Sequence, residues 1–192
     1  MFIGLVRHGQ TDWNALGKIQ GQTDIPLNAA GVAQARALAE RLAQDEWKWE
    51  AVVASTLQRA VETARIIAQR LRLPAPASDP RLNERRFGDA EGTTEAERLA
   101  RWGADWRSAD LGQESDGEVR ERASAFLADW RRRMPDGKLL VVTHGSFLAQ
   151  MMAVMNGDLE IRHIGNMSYS ILEYQDGKWH SHLHNCTRHL ES

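Results

Sequence analysis

The chain has a single cysteine, Cys186, among 192 residues, so no disulfide can close within it. That excludes the small folds that depend on disulfides, and it makes a reducing compartment, the cytoplasm, the expected setting. An excess of charge of one sign is also missing. Lysine and arginine number 24 against 26 aspartates and glutamates, a net charge of -2. Such a balance offers no overall basic field, so neither nucleic acid nor an acidic membrane surface is an expected partner, and any cationic function must be local. No apolar run approaches membrane length. The apolar start, Phe2 to Val6, is too short for an export signal and runs directly into Arg7 and His8. Repeats at solenoid period, low-complexity tracts and the Walker phosphate-binding pattern are absent too.

What is present is an ordinary globular composition, 42% apolar and 26% charged, at a length near that of one domain. A single domain spanning 1–192 is the expectation. Phe2 to Val6 predicts a buried strand that ends at Arg7-His8-Gly9, where a turn begins. Asn28 is placed to cap a helix carrying Ala35, Leu38 and Leu42 on one face. Ala51 to Ala54 predicts a second strand. Ser55 then stands as the expected cap of the clearest helix, with Leu57, Ala60, Val61, Ala64, Ile67, Ala68 and Leu71 at helical spacing. Pro74-Ala75-Pro76 ends that helix, and Arg81 to Gly92 reads as an irregular, charged loop. Thr94 with Glu97 forms a capping box for a helix reaching about Trp102, while Gly103 to Gly117 has weak periodicity. The stretch at about 85–117 is therefore expected to be a lid-like insertion. A helix from about Glu118 to Arg133 buries Ala123, Phe126, Leu127 and Trp130, with Arg131 to Arg133 as solvated surface at its end. Leu139 to Val142 predicts a third buried strand, ending like the first in a His-Gly pair, His144-Gly145, before an apolar helix through Met155. Tyr169 to Tyr174 and Trp179 to His184 predict two last strands around an Asp176-Gly177 turn.

Strands alternating with helices imply an α/β fold, a three-layer α/β/α sandwich around a mostly parallel sheet. Ligands of such sheets bind beyond the C-terminal strand ends. His8, Ser55 and His144 all stand at such ends, so one rim can gather them.

Four blocks of residues sharpen this. They are Arg7-His8-Gly9-Gln10-Thr11 with Trp13-Asn14, Gln20-Gly21, Asp24 to Asn28 and Gly31; Ser55 to Ala60 with Thr63-Ala64; Leu82-Asn83-Glu84 through Phe87-Gly88 and Glu91-Gly92; and Val142-Thr143-His144-Gly145. In this order, over almost the whole chain, they resemble the histidine phosphatase, or phosphoglycerate mutase-like, superfamily, in its small phosphatase branch. An Arg-His-Gly tripeptide alone is a weak signal, whereas four ordered blocks in the right strand and helix contexts are a strong one. The resemblance implies the phosphoglycerate mutase-like fold and a phosphomonoesterase that transfers a phosphoryl group to His8 and then to water. Arg7 and Arg59 would hold the dianion with paired, charge-assisted hydrogen bonds, Arg59 from a helix N-terminus. His144 would donate to the phosphoryl oxygens, and Glu84 would protonate the leaving alkoxide and later take a proton from water. Asn14, Gln20 and Gly21 match positions that contact phosphate or substrate, and Gly145 is grouped with them. No metal or other cofactor is called for, because arginine and histidine supply the positive charge. The implied partner is a small phosphorylated metabolite, read beyond its phosphate by Arg85 to Ser115, and a homodimer stays open.

Two further readings stand beside this one. A cofactor-dependent phosphoglycerate mutase shares the phosphohistidine but returns the group to a sugar acid. The chain is short for such an enzyme, and Arg81 to Gly117 lacks its long basic insertion. A binding module without turnover is the other, unsupported by the full catalytic set. Away from these blocks, His180, His182 and His184 alternate onto one strand face near Cys186 and His189, and a polar strand face explains them without a metal. Trp102 and Trp106, four apart, either wall a substrate pocket or pack one helix face. Trp47, Trp49 and Trp179 are assigned to packing, and His163 has no matched role.

Overall fold

A computed structural model describes residues 1–157 and 164–191. Among the described residues six strands form one sheet: β1 (Phe2–Arg7), β2 (Ala51–Ala54), β3 (Ala77–Ser78), β4 (Lys138–Thr143), β5 (Tyr169–Gln175) and β6 (Lys178–Cys186). Their order is β3-β2-β4-β1-β5-β6. β1 and β2 both run parallel to β4, and β3 parallel to β2, whereas β5 is antiparallel to β1 and to β6. The expected α/β/α sandwich with a largely parallel sheet is thus present. Arg7 pairs with Thr143 and Ala54 with Val142, so the three central strands end together at one rim.

The helices are α1 (Asp12–Ala15), α2 (Ala29–Gln44), α3 (Gln58–Leu71), α4 (Glu95–Trp102), α5 (Asp116–Arg133) and α6 (Gly145–Met155). Successive strand residues face opposite layers, which is why the strand sequences are apolar throughout. Ile3, Leu5, Leu139 and Val141 pack with Phe126 of α5 and Phe147 and Met151 of α6. Val6, Val52, Leu140 and Val142 pack with Leu38 and Leu42 of α2 and Ile67 of α3. Each such fully buried side chain contributes about 1.5–3 kcal/mol. Gly4 leaves space for this packing, since a Cβ there would lie 2.6 Å from Leu140 and 2.8 Å from Trp49.

Several elements differ from expectation. Ser55 does not cap α3, which starts three residues later behind Leu57 without a side-chain cap. The free amide of Gln58 donates instead to Asp24 Oδ1 at 2.8 Å, and the Ser55 hydroxyl turns to His144. Helix α1 arises from an unforeseen capping box between Thr11 and Asn14. Helix α5 begins at Asp116 because Ser115 and Glu118 form another. Within 85–117, α4 and a short helical turn at Trp106–Ser108 build a small apolar cluster of Ala90, Trp106 and Leu111, with Ile19, Phe87 and Trp102 against it. Asp176 and Gly177 both have positive φ, 52° and 82°, as a tight hairpin turn requires. Among the described residues no helix is long and apolar enough to cross a membrane.

Candidate active site

The rim where β1, β2 and β4 end carries a cavity of about 420 Å³. Arg7, His8, Asn14, Gln20, Gly21, Arg59, Glu84 and Gly145 all line it, so of the expected site residues only His144 does not. A wider depression of about 790 Å³ lies by Met1 and Tyr174, but its Arg81 is already paired with Asp79 and Asp129.

His8 is 2% exposed, and its Nδ1 lies 2.7 Å from the Gly9 carbonyl oxygen. A carbonyl only accepts, so Nδ1 must carry the hydrogen and Nε2 the lone pair. Burial, then Arg59 and Arg7, hold the imidazole pKa well below its ordinary value, outweighing the opposing Gly9 bond. The ring is therefore neutral and presents a free nitrogen. Its position is fixed by a close chain crossing: a Cβ on Gly9 would lie 2.5 Å from the Gly31 carbonyl oxygen. The Gly9 amide also donates to Thr63 Oγ1 at 3.2 Å.

Arg7 donates from Nη1 to the Ile164 carbonyl, and its buried Nε has no acceptor among the described residues. Burial lowers its pKa against the attraction of Glu84. Gly145 keeps the guanidinium close to α6, where a Cβ would stand 3.3 Å from Arg7 Nε. Arg59, 1% exposed, donates to the carbonyls of Thr23 at 2.9 Å and Gly21 at 2.7 Å. Its Nε is likewise buried without an acceptor, and burial, opposed by Glu84, Asp24 and Glu91, brings its pKa down to about 10. Two buried cationic donors lacking acceptors suit an anion.

Glu84 closes the other side. Its Oε1 accepts from the amides of Phe147 and Arg85, both at 2.8 Å, and its Oε2 from Ser146 at 3.0 Å. The first turn of α6 thereby holds the carboxylate in one orientation. Asn14 Oδ1 accepts from the Thr11 amide at 3.1 Å and Gln20 Oε1 from the Thr11 hydroxyl at 2.8 Å, which leaves both amide NH2 groups as donors. The Gly21 loop is knitted by Glu91, whose oxygens accept from the amides of Gln22, Thr23 and Phe87 at 3.0–3.1 Å.

His144 is fully buried, with its ring centroid 5.1 Å from that of His8. Its Nε2 lies 2.6 Å from Ser55 Oγ, and its Nδ1 has no partner among the described residues. Burial, then Arg59 and His8, keep its pKa well below the ordinary value. Sequence reasoning placed Ser55 at the rim without a chemical role and assigned no site role to Thr63, Glu91 or Asn166, whose amide donates to the His8 carbonyl oxygen and to Asn14 Oδ1. Ser55, Thr63 and Glu91 fall inside the four motif blocks, which was the available signal.

The remaining candidates lie elsewhere. His182 Nε2 is 2.8 Å from Glu173 Oε2, and its ring lies against Phe2 and Trp47. Cys186 Sγ accepts from Arg41 at 3.1 Å. Among the described residues no group of three His, Cys, Asp or Glu is placed to hold a metal ion. Arg98 and Arg107 lie over the Trp106 ring at 4.7 and 4.4 Å, and neither Trp106 nor Trp102 lines the cavity, so packing explains the pair. His163 lies outside the described residues.

Comparison with known proteins fits this geometry. The family model described as histidine phosphatase superfamily (branch 1) matches residues 3–187. The uncharacterized phosphatase PhoE of Bacillus subtilis (strain 168) is 36% identical over 191 residues, 98% of this chain and 96% of PhoE. The probable phosphoglycerate mutase GpmB of Yersinia enterocolitica is 35% identical over 193 residues, 92% of this chain and 86% of that protein. Among solved structures, mycobacterial glucosyl-3-phosphoglycerate phosphatase complexed with VO3 superimposes with a TM-score of 0.85 at 30% identity, covering 96% of this chain and 98% of that one.

Proposed function

The chain belongs to the histidine phosphatase superfamily, branch 1, as a phosphatase-type enzyme for small phosphorylated substrates, and on that premise we propose that it hydrolyses phosphate monoesters through a phosphohistidine on His8. One observation carries the reading. The Gly9 carbonyl takes the Nδ1 hydrogen of a neutral His8, which leaves Nε2 as a nucleophile beside two guanidinium groups with buried, unsatisfied donors.

Arg7 and Arg59 bind the phosphate dianion, helped by the side-chain amides of Asn14 and Gln20. His8 Nε2 attacks phosphorus in line as the P–O bond to the alcohol breaks, and Glu84, which must enter this step as the carboxylic acid, gives its proton to the departing oxygen. The phosphoryl group is then on His8. Glu84, now a carboxylate, takes a proton from water while the water oxygen attacks phosphorus. Phosphate leaves, and His8 Nε2 recovers its lone pair. His144 donates to the phosphoryl oxygens through both steps, and Gly21 and Gly145 let the backbone approach them. The 85–117 segment acts as a lid, which Phe87 supports by lining the cavity.

The mutase reading is favoured by the identity to the Yersinia protein. Against it, the rest of the wall among the described residues is Ile19, Phe87, Ser146, Ala149 and Ile164, with Lys18 as the one lining cation there besides the two arginines. Such a wall is poorly built to enclose a doubly anionic substrate, and it supports water as the second acceptor. The lone cysteine supports a cytoplasmic setting.

The test is acid-labile phosphoenzyme capture and phosphate release from an aryl phosphate, run beside a coupled mutase assay with bisphosphoglycerate. Wild type should form the phosphoenzyme and release phosphate without mutase activity, and His8→Ala should do neither. Undiminished turnover in His8→Ala would overturn the mechanism.

A further inference from the structure

We infer that Ser55 is a positioning residue, fixing His144 in the tautomer that carries its hydrogen on Nδ1. The inference rests on the proposed phosphoryl-transfer site, because it specifies the form in which His144 meets the phosphoryl group.

Ser55 continues the register of β2 one residue past the strand, its amide donating to the Val142 carbonyl at 3.1 Å. That contact sets it beside the end of β4, and its side chain is wholly buried. Ser55 Oγ accepts from the Leu57 amide at 3.3 Å and lies 2.6 Å from His144 Nε2. A serine hydroxyl has one hydrogen to give. Among the described residues His144 Nε2 is the one acceptor within its reach. The opposite arrangement, with Nε2–H donating to Oγ, would leave the hydroxyl hydrogen buried and unpaired, which is the costlier choice. Oγ–H therefore donates to Nε2, which must be a lone pair.

His144 is kept neutral by burial and by Arg59, so its single ring hydrogen sits on Nδ1. Among the described residues this Nδ1 is the ring atom left without a partner, on a ring 5.1 Å from that of His8. The chain from the Leu57 amide through the Ser55 hydroxyl thus makes the free nitrogen a donor before substrate arrives. In the other tautomer a lone pair would stand there and repel phosphoryl oxygens. Donors set in advance toward developing negative charge need no reorganisation during reaction. The hydroxyl is the part of Ser55 that matters, and threonine keeps it.

Protein labelled with 15N-histidine tests this directly, because long-range 1H–15N couplings distinguish Nδ1–H from Nε2–H, with His144→Gln assigning the signals. The wild type should show Nδ1–H at His144. Ser55→Ala should move His144 toward Nε2–H and lower kcat for an aryl phosphate about 10–100-fold, with KM changed less. Ser55→Thr should restore both the coupling pattern and most of kcat. An Nε2–H pattern in the wild type would overturn the inference, as would Ser55→Ala keeping Nδ1–H and full kcat. Should Ser55→Ala fail to fold, the wild-type and Ser55→Thr spectra decide alone. A wild type that forms no phosphoenzyme would sink the phosphatase reading instead, while the couplings still settle the tautomer.

Discussion

Two buried neutral histidines make the stability of this fold depend on pH. His8 and His144 both have pKa values well below the ordinary 6.5, burial being the largest cause for each. In the unfolded chain they return to about 6.5. Below that pH the unfolded state therefore takes up two protons that the folded state refuses, and stability falls as pH falls. A group neutral in the fold and free in the unfolded chain costs about 1.4 kcal/mol between pH 7.5 and 5.5, so the pair costs ~3 kcal/mol. His189, pushed down to about 4 mainly by burial, pulls the same way, but it is half-buried and adds less. That loss is a sizeable fraction of the ~5–15 kcal/mol typical of a domain. Urea unfolding at pH 7.5, 6.5 and 5.5 measures it, with most of the fall in the lower interval. His8→Asn should remove about half of the pair's slope. A midpoint unchanged between pH 7.5 and 5.5, or a slope identical in His8→Asn, would refute the account of a neutral, buried pair.

Two substitutions probe other parts of the site. Glu84→Gln should slow alkyl phosphates more than aryl phosphates, by roughly 10²–10⁴-fold for the alkyl ester, because a phenolate leaves with little protonation; equal losses in kcat on the two would count against an acid role. Gly21→Ala forces a side chain onto φ +53° and sets its Cβ 2.0 Å from Glu91 Oε1, so unfolding should become easier by about 1–2 kcal/mol. KM for an aryl phosphate should rise several-fold in the same variant, and a KM at the wild-type value would mean that the Glu91 brace does not set the loop.

How much of this was legible in the sequence depended on whether a signal was local. The buried strands Phe2–Arg7 and Lys138–Thr143 announce themselves as apolar runs, and Thr94 with Glu97 announces α4. Their order then predicts the sheet, and the sheet places His8 and Arg59 at one rim. Ser55 marks where this reasoning stops. A serine just before a helix looks like a cap whatever it bonds, and only the pairing of β2 with β4 brings its hydroxyl to His144. Glu91 is similar, since its partners at Gln22 and Thr23 are 69 and 68 residues away in the chain. Trp106 shows the converse. Its spacing from Trp102 is compatible with a pocket wall, yet Arg98 and Arg107 stack on it inside the segment's own cluster.

The features that unsettle the free protein are the ones the proposed chemistry would use. Arg7 Nε, Arg59 Nε and His144 Nδ1 are all buried without acceptors among the described residues. A buried, unsatisfied donor typically costs ~1–3 kcal/mol, more when charged. On the proposed mechanism, a phosphoryl group that offers several oxygens to these donors would recover that cost at the moment of binding. It would recover more as charge shifts during transfer, because the donors are already in place. The rim is thus a region where local stability and function oppose each other. The core below, with Leu5, Val141, Phe126 and Phe147 fully buried, supplies the surplus that lets the rim persist.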